Sequence, residues 1–400
     1  MALIARYGHY PEMSHSAQPE NLPEHPCFRI PALAVFSPQA SHPFRVVAAF
    51  DIRPDFHDLP GSISLGVRVS DDWGQTWSPL HILKQSAPGW GFGDASLIST
   101  SDGEVIALFA ASQGKNFWED TDSPGDWRIL SARTHDGVDW TFADITQQIW
   151  GKHTGSMFIA SGNGIQLRES ECAGRLVQPL VVRARHSTET IATVAISDDL
   201  GHHWRVAAGS TGPTDRLRTG IAGGDEAKVT ELPGGNLLLS SRSYPRRLWA
   251  LSTDGAESFH PAWENLPDPG CNAGLLTRGE TIILTSLLPP QLVSGSDPSN
   301  ETEPENVPLG TALDPSAGRS SGKQDWNARE NLVWRRGLLE SKNGSPTRIR
   351  WSAPEVIDAG PAAYSVCAAL GDRIAVMWET GQQSGGSRSP YGSIAFTTLE

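Results

Sequence analysis

Ser70-Asp71-Asp72-Trp73-Gly74-Gln75-Thr76-Trp77 reads as a tight hairpin turn that carries its own acceptor. The aspartate bonds the backbone of its own turn and the glycine takes a positive φ, which leaves the last aromatic free to pack inward. The pattern Ser-x-Asp-x-Gly-x-Thr-Trp returns along the chain. Ser197-Asp198-Asp199-Leu200-Gly201-His202-His203-Trp204 keeps Ser, Asp, Gly and Trp and loses Thr. Ser252-Thr253-Asp254-Gly255-Ala256-Glu257-Ser258-Phe259 is looser, and Thr134-His135-Asp136-Gly137-Val138-Asp139-Trp140 is one residue short. Starts at 70, 134, 197 and 252 lie 55 to 64 residues apart. Self-similarity at a period of that size points to a repeat architecture such as a propeller. Asp72, Asp199 and Asp254 are therefore turn-formers, not catalysts.

The rest of the sequence agrees. Apolar runs of strand length recur, among them Val46-Val47-Ala48-Ala49-Phe50, Val105-Ile106-Ala107-Leu108-Phe109 and Ile374-Ala375-Val376-Met377-Trp378, each bounded by turn residues. Forty Gly and 29 Pro suit many short strands, and no helical period is sustained. The expected fold is all-β, a six-bladed β-propeller forming one domain over residues 1–400, with about 65 residues per blade. Residues 291–325 are polar and nearly free of aromatics. They read as a surface insertion between blades, or as a lid over a pocket.

A formal charge of −13 argues against a nucleic-acid partner, which needs a basic surface. Cys27, Cys172, Cys271 and Cys367 are scattered, without metal spacing or disulfide density, so free thiols are expected, with no metal and no cofactor. The first residues lack an apolar secretory core and no run has the length of a membrane helix. The expectation is a cytoplasmic protein without a membrane partner, or a secreted one if residues are missing from its start. The sequence leaves the oligomeric state open.

Phe28-Arg29-Ile30-Pro31 followed by these turns, known as Asp boxes, resembles the sialidase (neuraminidase) family, in the manner of bacterial exo-α-sialidases. The resemblance runs from Phe28 to about Thr380. It implies a sialylated glycan as substrate and three arginines that bind the sugar's carboxylate, since guanidinium groups meet carboxylates as charged forks. Arg29 matches the first. Arg242, in Ser240-Ser241-Arg242-Ser243, matches the second. Arg329, in Arg329-Glu330-Asn331-Leu332, is taken as the third, with Arg335 and Arg336 as rivals.

Asp51, in Phe50-Asp51-Ile52-Arg53-Pro54, resembles the segment that supplies the general acid/base, and Asp55 and Asp58 compete for the role. Asp94, in Gly91-Phe92-Gly93-Asp94, matches an aspartate that lines the pocket. Sialidases use a tyrosine nucleophile, an exception to the paired-carboxylate rule of glycosidases. A phenol ionises near pH 10 and needs a base. Tyr364, in Ala362-Ala363-Tyr364-Ser365, matches the nucleophile and Glu226, in Gly224-Asp225-Glu226-Ala227, matches the base. Glu231 alternates with Glu226 in a poorer register. Glu379, in Trp378-Glu379-Thr380, matches a carboxylate that holds the first arginine. Asn163 stands where many relatives carry Glu.

The implied activity is that of a retaining exo-α-sialidase. Alternatives are a trans-sialidase, with Trp90, Trp118 or Trp249 as an acceptor platform, a hydrolase of a related nonulosonic or ulosonic acid, or a non-catalytic Asp-box propeller that binds glycans.

Overall fold

The computed structural model describes residues 1–14, 22–37, 44–121, 125–169, 171–207, 220–244, 246–288, 329–342, 345–381, 383–384, 387–388 and 392–400. The polar stretch 291–325, with its loop and lid readings, lies outside the described residues. Among those described, the only helix is Thr146–Ile149, and everything else regular is strand. No described helix is long and apolar enough to cross a membrane.

The strands form a propeller-like set of sheets. The first blade runs Cys27–Phe36, Arg45–Arg53, Ser64–Ser70, His81–Lys84 in antiparallel order. The second runs Trp90–Ser99, Val105–Gln113, Trp127–Thr134, Thr141–Asp144, with Gly162–Asn163 added in parallel to its first strand. The third is built on Thr154–Ile159, Leu176–Ala184, Thr190–Ser197 and Arg205–Val206. The fourth runs Ala227–Glu231, Leu237–Ser241, Arg246–Ser252, His260–Pro267.

The remaining long strands join in one eight-stranded sheet, which corrects the expectation of six separate blades: four stand alone. The physical reason is the 16-residue strand Glu355–Leu370. Its first half pairs with Glu330–Trp334 and its second half with Arg373–Thr380, so one backbone carries the ladder across. Ala2–Ala5 pairs with Ser393–Leu399 at the edge of the same sheet.

Apolar clusters fill the spaces between neighbouring sheets. Val47 and Leu65 of the first blade pack with Leu97 and Phe109 of the second. Ile106 and Ile129 meet Met157 and Leu180 of the third. Val177 and Val194 meet Val229 and Leu239 of the fourth, and Leu238 and Trp249 meet Leu275 and Ile282 of the large sheet. Phe28 and Phe50 then meet Val366 and Phe396, which closes the circuit. Interdigitated apolar faces of this kind supply the main folding energy, about 25 cal/mol per Å² removed from water. Cys27, Cys271 and Cys367 are buried as free thiols, and Cys172 is half-buried.

Each Asp-box turn links the third and fourth strands of a separate blade. Ser70 Oγ accepts from Gly74 N at 2.9 Å and donates to Asp72 Oδ1, which accepts from Thr76 N at 2.8 Å. Ser197–Asp199 and Ser252–Asp254 repeat this, and Thr134–Asp136 makes a shortened form. In the loosest box Ala256 takes φ 76 where Gly74 and Gly201 take 81 and 82. An arginine leads from each of the first three blades to the turn of the next: Arg45 Nη1 donates to Asp136 O, Arg133 Nη1 to Leu200 O and Arg175 Nη1 to Gly255 O. Ser70 pairs with Val46 and Leu65 with Asp51. Five residues of strand, about 17 Å, thus separate the box end of the first blade from the end where the candidate site residues lie.

Candidate active site

Four site strands lose their pairing register beside a site residue. The breaks fall between Arg29 and Ala32, Gly93 and Ser96, Glu330 and Leu332, and Ala362 and Ser365. They bracket Asp94 and Tyr364 and border Arg29 and Arg329. Ile30, Asp94 and Asn331 there take φ of 57, 59 and 57, a region that costs a non-glycine residue about 1–3 kcal/mol. A bulge of this kind re-aims a side chain that regular alternation would send to the wrong face.

The re-aimed side chains meet around Tyr364. The guanidinium carbons of Arg29, Arg242 and Arg329 stand 5.6, 5.7 and 5.6 Å from its ring centroid. Arg29 and Arg329 are 4 % and 3 % exposed. Arg29 Nε lies 3.2 Å from Glu379 Oε1, and Glu379 is wholly buried. Arg242 has Asp225 Oδ2 at 2.8 Å and Glu226 Oε2 at 2.7 Å. Of the rival third arginines, Arg335 donates to Ser352 O, and Arg336 pairs with Glu355 and lies over Trp334.

Tyr364 Oη accepts a short bond from Arg242 Nη1. Arg242 bridges Tyr364 to Glu226, the residue matched to its base, because the same Nη1 also meets Glu226 Oε2. Burial raises the phenol well above its ordinary pKa and Glu226 adds to the rise, while the three arginines oppose it. Glu226 Oε1 accepts from Ser161 Oγ at 3.1 Å and from Asn272 Nδ2 at 3.4 Å. Lys228, two residues on and on the same face of its strand, is 1 % exposed. Its Nζ donates to Ser161 O at 2.5 Å and Asn272 Oδ1 at 2.6 Å. Glu231 is committed elsewhere, accepting from the amides of Arg168 and Glu169.

Asp51, matched to the acid, is the enclosed member of a pair of neighbouring aspartates. Its carboxylate is 0 % exposed, and its Oδ2 accepts from Arg53 Nε at 2.9 Å and Nη2 at 2.7 Å. A group so enclosed cannot reach a leaving oxygen. Arg53 instead extends Nη1 to Asp58 Oδ1 at 2.6 Å. The Asp58 side chain is 78 % exposed, and Arg29 Nη1 lies 3.5 Å away. Asp58 thus stands at the mouth and Asp51 beneath it. Burial pushes Asp51 up to about 6 against the pull of Arg53. The walls of the mouth strip some hydration from Asp58 and so favour its neutral form, but Arg53, Arg29 and Arg242 outweigh this and hold the carboxyl below its ordinary value. Asp94 is half-buried. Burial, with the charges of Asp51 and Glu226, pushes its pKa well above the ordinary value. Asp55 bonds the His57 amide in its own loop.

Other expectations resolve simply. Asn163 Nδ2 donates to Cys367 O at 3.0 Å. Trp249 is 1 % exposed against Trp351 and cannot be a platform; Trp118 is 60 % exposed, and Trp90 is half-buried beneath Arg128. Among the described residues no group of three His, Cys, Asp or Glu could hold a metal. Lys228, Asn272 and Arg53 escaped the sequence reading. Lys228 and Arg53 each follow a candidate carboxylate by two positions, the spacing at which strand side chains share a face.

No family model matches the chain. A sialidase of Micromonospora viridifaciens is 35 % identical over 273 residues, 63 % of this chain and 39 % of that protein. The chain therefore spans about two fifths of the length of that relative. Among solved structures, a Hadza microbial sialidase superposes with a TM-score of 0.69 at 18 % identity, covering 95 % of this chain and 66 % of that one. Trypanosoma rangeli sialidase in complex with sialic acid gives 0.67 at 16 % identity, covering 99 % and 58 %. The sialidase resemblance read from the sequence thus stands on a sequence relative and on the fold.

Proposed function

We propose that the chain is a retaining exo-α-sialidase that releases terminal sialic acids from glycans through a tyrosyl intermediate. The observation that carries this is the convergence of Arg29, Arg242 and Arg329 within 5.7 Å of one tyrosine ring. Two buried arginines and a half-buried third aimed at one point suit a bound carboxylate, and the carboxylate on the anomeric carbon of sialic acid brings one to the reacting centre. A carboxylate nucleophile would repel it; a phenol does not. The shared activity of the relatives supports the same substrate class. The eight-stranded sheet, taken as two fused four-stranded blades, gives a six-bladed propeller in one domain.

In the first step Tyr364 Oη attacks the anomeric carbon while its proton passes to Glu226, with Arg242 Nη1 holding both groups. The bond to the leaving oxygen breaks, and Asp58 gives that oxygen its proton. In the second step water attacks the anomeric carbon and Asp58 takes the water's proton. The sugar–tyrosine bond breaks, and Tyr364 recovers its proton from Glu226. Asp58 is ionised in the free site, yet must be protonated in the first step. The substrate supplies the change: its carboxylate takes over Arg29 and places a negative charge nearby, and both effects raise a carboxyl pKa. Asp51 holds Arg53, and Arg53 holds Asp58. Asp94, whose neutral form burial favours, lines the sugar site beside Asp51.

The test is hydrolysis of a chromogenic α-sialoside by the wild type and by Tyr364→Phe. Turnover by the wild type and its loss in the variant is the expected result. A wild type without activity on α-sialosides would sink the proposal, and redirect attention to related nonulosonic acids or to a binding role. The Tyr–Arg–Glu array argues against a binder, which has no need of a phenol paired with a base.

A further inference from the structure

We propose that Lys228 is a positioning residue for the Glu226 base, acting through Asn272 and Ser161. The inference rests on Glu226 being the base of the proposed reaction. Its geometry is that of a wholly buried network. A lysine ammonium has donors and no acceptor. By donating to Asn272 Oδ1 at 2.6 Å it fixes which end of that amide faces it. Nδ2 is thereby turned the other way, onto Glu226 Oε1 at 3.4 Å and Ser161 Oγ at 3.1 Å. The second ammonium bond, to Ser161 O, anchors the residue whose hydroxyl also donates to Glu226. One lysine therefore orients both hydrogen-bond donors of the carboxylate oxygen that Arg242 leaves free.

The chain makes room for this lysine. A Cβ on Gly162 would lie 2.6 Å from Lys228 Cε and 3.0 Å from Nζ, and Gly162 holds φ 115. A buried ammonium is costly unless it is hydrogen-bonded, and the partners of this one all lead to one carboxylate. The charged and titratable groups around it are Glu226, Arg247, Cys367 and Arg242. Burial pulls Lys228 down to about 7, with Glu226 opposing, and burial keeps the Cys367 thiol neutral. Below neutral pH the ammonium therefore faces the base as a cation. A carboxylate that loses a neighbouring cation holds its proton more tightly.

Lys228→Met, Asn272→Ala and the double variant test this on a chromogenic α-sialoside. Lys228→Met should lower kcat about tenfold or more with KM near the wild-type value, and should move the acid limb of the kcat/KM profile to higher pH. Asn272→Ala should reproduce the kcat loss. The double variant should lose no more than the worse single one, as expected of groups that act in series. Wild-type kcat and an unmoved profile in the single variants would overturn the inference, as would losses that multiply. Should Lys228→Met fail to fold, Asn272→Ala decides by the same kcat reading. Should the wild type not hydrolyse the sialoside, the functional reading fails on its own. The positioning is then read from a crystal structure of Asn272→Ala, where a Glu226 carboxylate still bonded to Ser161 in its original place overturns it.

Discussion

The backbone amide of Ile30 donates to Glu379 Oε1 at 2.8 Å. The same oxygen lies 3.2 Å from Arg29 Nε, so one buried carboxylate fixes both the bulged backbone and the arginine beside it. Glu379→Gln keeps the shape and removes the charge. Arg29 then stays buried with a weaker partner, a defect of about 3 kcal/mol for a broken buried pair. The expected outcome is a lowered melting temperature together with a raised KM for α-sialosides. A variant with wild-type KM would show that Arg29 does not need Glu379 to hold its fork.

The two aspartates gripped by Arg53 should separate in kinetics. Asp58→Ala should slow substrates with poor leaving groups by roughly 100- to 10,000-fold and aryl sialosides far less, since a phenolate departs with little protonation. Asp51→Asn should slow both classes alike, by loosening Arg53. Comparing sialyl-lactose with an aryl sialoside on the two variants measures this. The reverse pattern would restore Asp51 as the acid.

Asp51 also predicts a pH dependence of stability. Its folded-state pKa, about 6, lies above the ordinary 3.8 because burial disfavours the charge. Between these values the folded protein holds a proton that the unfolded chain has lost, so stability falls as pH rises from about 4 to about 6. Asp94, pushed up by burial and by Asp51, extends the trend in the same direction. Melting temperatures of the wild type and Asp51→Asn across pH 4 to 7 should converge toward the acid end and diverge, in favour of the variant, above pH 6. A constant difference would remove Asp51 as the source.

Much of this architecture was legible in advance for a local reason. An Asp-box turn is written in eight consecutive residues and closes on its own hydrogen bonds, so Ser70 and Asp72 could be read without knowing their surroundings. The matches at Arg29, Arg242 and Tyr364 were likewise carried by short segments. What stayed hidden depends on distant partners. Which of Asp51 and Asp58 lies enclosed depends on Arg53, which grips both, and not on the order of residues along the chain. The fusion of the last strands follows from the length of Glu355–Leu370, which the sequence breaks with Gly360 and Pro361 without ending it.

The arginines that cross between blades give a prediction far from the pocket. Arg133 Nη1 donates to Leu200 O and pairs with Glu104 in its own blade. Arg133→Ala should lower stability by about 1–3 kcal/mol, the usual cost of losing a hydrogen bond made by a charged group, and leave kcat and KM unchanged. A change in kinetics would mean that the box end and the pocket end are coupled.

The left-handed backbone at Ile30, Asp94 and Asn331 places this protein under a trade between durability and work. A selection for heat resistance alone would find Asn331→Gly, since glycine enters that region without a side-chain penalty, and would accept it. The adjoining Arg329 would then hang on a looser hinge. Stabilised descendants of this chain should therefore accumulate glycine beside the carboxylate clamp and lose turnover as they do, whereas the Asp-box end can be hardened without that loss.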